Sequence, residues 1–100
     1  MNMFVDELQR RRELGALLLH ARLAADLTGR EAARRALISQ SKVSKTENGR
    51  LIKVVDIFRL AVVYDVTPEC CHSMVALALM IARDVEERRA LPRPLREFPR

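Results

Sequence analysis

The sequence has little of what punctuates strands and turns. Glycine occurs only at positions 15, 29 and 49, and no proline precedes Pro68, so the first 67 residues lack most of the signals that bound short strands. This counts against a β-rich fold and predicts an all-helical one. Cysteine is confined to the adjacent Cys70 and Cys71. Two are too few for a disulfide-stapled miniprotein, and in a reducing cytosol both stay thiols. Long hydrophobic runs are missing as well. The apolar stretch 75–82 is eight residues long, against the roughly 20 that cross a bilayer. The best signal-peptide core, 15–19, follows Asp6, Glu7 and Glu13 and is soon broken by His20 and Arg22, which a cleaved secretory segment avoids. A cytoplasmic protein with no membrane partner is expected.

Catalytic groupings are equally scarce. No Ser/His/Asp set, paired-carboxylate pocket or glycine-rich phosphate loop can be assembled, so no enzyme is expected. Cys70, Cys71 and His72 are consecutive, and on a helix their side chains diverge by about 100° per residue. No second Cys/His cluster supplies the remaining ligands of a metal site. Neither metal nor cofactor is expected, and His20, alone on its helix, reads as a packed or surface residue.

What is present is enough for one modest core. The chain has 100 residues, 49% hydrophobic and 31% charged, which fits one domain and is too apolar for a disordered segment. The net charge of +5 is unevenly placed. Residues 1–27 carry four basic and four acidic side chains, and residues 54–100 carry seven of each. Residues 28–53 carry Arg30, Arg34, Arg35, Lys42, Lys45, Arg50 and Lys53 against Glu31 and Glu47 alone, so the whole excess lies there. Such concentration favours a polyanion partner over a merely solvated face, and DNA is the commonest for so small a chain. Arg10-Arg11-Arg12 reads as a solvated helix start in preference to a DNA-reaching arm. Fifteen Arg against three Lys suggest a GC-rich bacterial genome.

Five helices are predicted. The first runs from 5 or 8 to 26, with Leu14, Leu17, Leu18, Ala21 and Ala25 as its buried stripe. Thr28 and Glu31 form a capping-box pattern opening a second helix over 29–36, whose inner face is Ala32, Ala33 and Ala36. After a tight connection at Leu37-Ile38-Ser39, Ser39 caps a third helix over 40–48, closed by Gly49 as a left-handed residue. Val43, Thr46 and Glu47 fall on one side of it. Gln40, Ser41, Ser44, Lys45 and Asn48 fall on the other, an outward face without an acid, suited to base edges and phosphates. The fourth helix, 54–64, is apolar nearly all round and is expected to be the central core element. Thr67-Pro68 opens the fifth, which reaches Ala90 with Met74, Leu77, Ala78, Ile81 and Val85 facing the core. Val75, Leu79 and Ala82 widen its apolar surface. Homodimerisation is the first reading of that excess, with docking to another protein or internal packing as the others. The tail 91–100, with three Pro and three Arg, is expected to be extended or flexible.

The stretch 28–50, TGREAARRALISQSKVSKTENGR, resembles the helix-turn-helix of the phage-repressor, Cro and xenobiotic-response-element regulator family. The most specific pieces are Ala33, the Ser39-to-Lys45 opening of the third helix, and Glu47-Asn48-Gly49-Arg50 closing it. The resemblance spans about 10–66 and looks closest to actinobacterial members in which such a domain precedes a larger one. It implies an all-α, five-helix lambda-repressor-like DNA-binding domain over 1–90, whose third helix enters the major groove. By that resemblance Gln40, Ser41, Ser44 and Lys45 match base-facing positions. Gly29 and Arg30 match a phosphate contact at a helix N-terminus, and Asn48, Arg50 and Lys53 match backbone contacts in the following loop. Arg22 and Glu47 match a buried salt bridge joining the first and third helices. Two positions depart from the pattern. Leu37 stands where the family usually has glycine, so the turn is expected to be strained or differently shaped. Thr46 stands where the family buries Ile or Leu, so its hydroxyl needs a backbone partner.

Together these features predict a sequence-specific DNA-binding regulator, a dimeric repressor on a pseudo-palindromic operator. The competing reading is a protein-interaction module, such as an antitoxin or adaptor, that binds a toxin, sigma factor or other regulator through its fifth helix.

Overall fold

Among the described residues three helices begin on a side-chain cap, and four end on a left-handed residue. The computed structural model describes residues 3–50 and 52–91. Among them lie five helices and no strand: α1 (Met3–Ala24), α2 (Gly29–Ala36), α3 (Gln40–Glu47), α4 (Val54–Val63) and α5 (Pro68–Ala90). At the start of α2 the Glu31 amide donates to Thr28 Oγ1 at 3.1 Å, and the Thr28 amide donates to Glu31 Oε1 at 3.0 Å. This reciprocal pair satisfies two amides that the helix itself cannot. Ser39 accepts from the Lys42 amide and Thr67 from the Cys70 amide, each at 3.1 Å, and Pro68 sits in the first turn of α5. α4 opens at Lys53 without a side-chain cap; its order comes from packing.

The helix ends share one device. Asp26 (φ 59°), Leu37 (φ 60°), Gly49 (φ 70°) and Asp65 (φ 51°) are left-handed. Each donates to the carbonyl three residues back, and the residue after each donates to the carbonyl five back. These paired bonds satisfy carbonyls that the helix leaves free. Glycine fills only one of the four positions. Aspartate tolerates this backbone, whereas leucine does so at a cost of about 1–2 kcal/mol. The turn at Leu37 therefore keeps the ordinary shape, under strain. The first helix starts at Met3, earlier than the sequence predicts, and ends at Ala24 instead of 26 because the left-handed Asp26 stops it from outside.

The core draws on every helix: Leu14 and Leu18 from α1, Ala32, Ala33 and Ala36 from α2, Val43 from α3, Ile57, Leu60 and Ala61 from α4, and Met74, Ala78 and Ile81 from α5. Leu17, Ala21, Ala25 and Leu77 pack against it while only partly buried, so the predicted α1 stripe is buried along its centre alone. The expectation for α4 needs a larger correction. It packs on α5, α2 and α1, but among the described residues nothing covers its far side. Val55, Phe58 and Val62 are each more than half exposed, so α4 has one buried face where the sequence predicts burial all round.

Ion pairs hold α1 to α5. Arg10 Nη1 donates to Asp84 Oδ2 at 2.7 Å, and Glu7, almost fully buried, accepts from Arg88 Nε at 3.0 Å and Arg11 Nε at 3.0 Å. Of the three-arginine run, only Arg12 is a solvated residue; Arg10 and Arg11 turn inward to these acids. The tail expected over 91–100 lies outside the described residues, apart from Leu91. Among the described residues no helix is long and apolar enough to cross a membrane.

The Arg88 guanidinium, with Arg11 beside it, holds the Glu7 carboxyl below its ordinary value of 4.5 despite its burial. A depressed carboxyl pKa contributes stability that is present above the unfolded-state value and lost as pH falls through the folded one. Glu7→Gln should therefore lower stability by about 1.5–3 kcal/mol at neutral pH and flatten its decline below pH 4.5, as followed by urea unfolding at stepped pH.

Candidate nucleic-acid interface

The third helix is divided cleanly. Val43 and Thr46 are buried, whereas Gln40, Ser41, Ser44, Lys45 and Asn48 are exposed. An eight-residue helix is not stable alone, so its exposed face can stay polar only because its other face is held by neighbours. Thr46, fully buried where a hydrocarbon would serve, satisfies its hydroxyl within the helix by donating to the Val43 carbonyl at 2.8 Å. The cost of burying it unpaired is thereby avoided.

The inner face is fixed to α1 at several levels. At Gly15 a Cβ would lie only 3.0 Å from the Glu47 carbonyl carbon and nearer still to its oxygen, so the end of α3 rests directly on the α1 backbone. Arg22 grips the same residue through its side chain: Nε donates to Glu47 Oε2 at 2.7 Å and Nη2 to Oε1 at 3.2 Å. Its Nη1 donates to the Leu27 carbonyl at 2.9 Å, tying in the end of α1. The hydrogen bonds to Glu47 raise the Arg22 pKa further. One turn beyond, Arg11 Nη1 donates to the Gly49 carbonyl at 3.1 Å. Gly49 is required twice over, for its positive φ and because a Cβ would stand 2.8 Å from the Arg11 carbonyl oxygen.

Two features near α3 escape the sequence reading. Lys42 reaches back from its first turn to the buried Asp56 of α4, Nζ to Oδ2 at 3.7 Å. An acid within the apolar run of α4 was the available signal. Tyr64 is buried with its hydroxyl lacking a hydrogen-bond partner among the described residues. Burial, reinforced by the charge of Glu47, pushes its pKa up to about 12. Gly15 offered a signal too, since glycine in a helix interior costs about 1 kcal/mol relative to alanine and implies a close approach.

Most of the positive excess is left without carboxylate partners. Arg30, Arg34, Arg35, Lys45, Arg50 and Lys53 are exposed, and none forms an ion pair among the described residues. Arg10, Arg11 and Arg22, by contrast, are engaged with carboxylates. Gly29 opens α2 with no atom within 4 Å of where its Cβ would be, leaving room for a ligand oxygen. Asn48 Nδ2 donates to the Ser44 carbonyl at 2.9 Å and would have to leave it to reach a phosphate.

Two helices joined by the short left-handed turn at Leu37, with the second offering a polar face braced from behind, define a helix-turn-helix protein. A family model described as a helix-turn-helix domain matches residues 13–70, and the chain belongs to that family, which places it among DNA-binding regulators. No curated protein and no solved structure matches it.

The α1–α3 crossing is open to a direct check. Gly15→Ala should lower stability by about 1–3 kcal/mol through overpacking, although the same exchange in an unobstructed helix stabilises by about 1 kcal/mol. Gly29→Ala, in open space at the first position of α2 where the helix-interior preference does not apply in full, should leave the unfolding free energy from urea titration within about 0.5 kcal/mol of the parent.

Proposed function

We propose that the chain is a sequence-specific transcriptional regulator of the phage-repressor, Cro and xenobiotic-response-element kind, acting in the bacterial cytoplasm as a dimeric repressor. The observation that carries this reading is the outward face of α3: five exposed hydrogen-bonding side chains and no acid, backed by a fully anchored inner face. Gln40, Ser41, Ser44 and Lys45 read base edges in the major groove. Gly29 and Arg30 at the start of α2, with Asn48, Arg50 and Lys53 after α3, hold the phosphates and set the register. Arg22 and Glu47 keep the reading helix in place. The protein acts by binding, with neither catalysis nor a cofactor.

A dimer suits this role because two α3 helices related by a two-fold axis meet half-sites about 34 Å apart on one face of the duplex. Leu79 is 55% exposed, Ala82 is exposed and Val75 is half-buried, so α5 offers the apolar strip for that contact. The same strip supports the second reading, an interaction module whose α5 binds a toxin, sigma factor or other regulator. Light scattering after size exclusion separates the two: a stable dimer favours the regulator, a clean monomer the module.

Phosphate neutralisation makes affinity fall with salt, by about 0.9 per contact in log–log slope. Titrating a mixed-sequence duplex at several salt concentrations should show that fall, and a salt-independent affinity would overturn the reading. Arg50→Ala should reduce the slope by about one and weaken all sequences alike, whereas Lys45→Ala should change which sequences are preferred.

A further inference from the structure

A groove of about 300 Å³ lies between the end of α2 and the uncovered face of α4. It is separate from the α5 strip and from the outward residues of α3. Its floor is apolar: Leu37 is 81% exposed, Phe58 53% and Val62 61%. Val55, one turn earlier on α4, continues the same stripe at 56%. Exposed apolar residues scattered singly are ordinary, but a contiguous set around a groove marks an interaction surface. Leu37 sharpens the point. It holds a left-handed backbone that glycine or asparagine would adopt without strain, and it projects its side chain into water, so the residue contributes nothing to the core that justifies either cost.

Charge selects the occupant. The groove is flanked by Arg35 and Arg59 and lined by no acid, and neither arginine forms an ion pair among the described residues. A second copy of the chain is disfavoured, because a two-fold contact uses the same patch on both partners and would bring four guanidinium groups together. Residues 92–100 are disfavoured as an internal occupant, since they carry three Arg and one Glu. A phosphate backbone would meet the two arginines but leave Leu37, Phe58 and Val62 in water. We propose that this groove is a docking site for an acidic amphipathic helix of a partner protein. Its apolar stripe would lie on Leu37, Phe58 and Val62, and its flanking carboxylates would meet Arg35 and Arg59.

The proposal does not depend on the DNA reading and is tested with the intact chain. The probe is a fluorescein-labelled helical peptide with leucines at i, i+3 and i+7 and glutamates on both flanks; its companion has lysines in place of the glutamates. Fluorescence anisotropy should show saturable binding of the glutamate peptide and about tenfold weaker binding of the lysine peptide. Arg35→Glu/Arg59→Glu should reverse that preference, and Phe58→Ala should weaken both peptides while leaving urea stability and duplex affinity unchanged. Failure of the glutamate peptide to bind, equal binding of the two peptides, or an unaltered preference in the reversed variant would overturn the proposal. Loss of duplex affinity in Phe58→Ala would overturn it in favour of nucleic acid. Self-association of the parent that Phe58→Ala abolishes would overturn it in favour of a second copy.

Discussion

The contact on which the molecule depends is the crossing of α3 over α1 at Gly15. An eight-residue helix with an outward face of Gln, Ser, Ser, Lys and Asn has almost no intrinsic reason to persist in water. It persists because Val43 and Thr46 enter the core, because Gly15 lets the backbone at Glu47 settle directly onto α1, and because Arg22 and Glu47 close a two-bond ion pair beside that contact. The rest follows from this seating. Glu7 and Arg11 stabilise the part of α1 on which the end of α3 lies, and Arg88 and Asp84 fasten α1 to the long α5. The polar outward face of α3 is thus held in place without donating any of its own side chains, Asn48 excepted, to the fold.

Charge is divided along the same line. Arg10, Arg11 and Arg22 of α1 are neutralised by carboxylates of α5, α1 and α3, whereas Arg30, Arg34, Arg35 and Arg50 are exposed and form no ion pair among the described residues. A net charge of +5 spread at random would give diffuse attraction to any polyanion. Concentrated on α2, α3 and the loop after them, it gives an oriented one, which in the proposed function steers a duplex toward the outward face of α3.

Helix starts were legible in the sequence because a cap is a local matter: Thr28, Ser39 and Thr67 each act on an amide three residues ahead. The ends of α2 at Ala36 and of α5 at Ala90 fall where the sequence places them, but the left-handed device itself was legible only at Gly49. Aspartates at 26 and 65 perform the same left-handed turn but look in sequence like ordinary polar residues, which is why α1 was expected to run two residues too far. The α1–α5 ion pairs join residues 74 and 81 positions apart, a separation at which no periodicity informs. The exposed side of α4 was hidden for a different reason. An all-apolar pattern shows that a helix can be buried on any face, and only the placement of its neighbours decides which face is not. For the reading face itself the sequence sufficed, since polarity and helical spacing together identify an outward stripe whatever it contacts.

The central claim is that the exposed side chains of α3 distinguish one base sequence from another. The most direct test is selection of bound duplexes from a random pool by the purified intact chain, followed by sequencing. The account predicts enrichment of a pseudo-palindrome whose half-site centres are separated by about one helical turn, roughly 34 Å. A pool that emerges without any enriched sequence, despite measurable binding, would contradict it and leave the basic segment as a non-specific electrostatic surface.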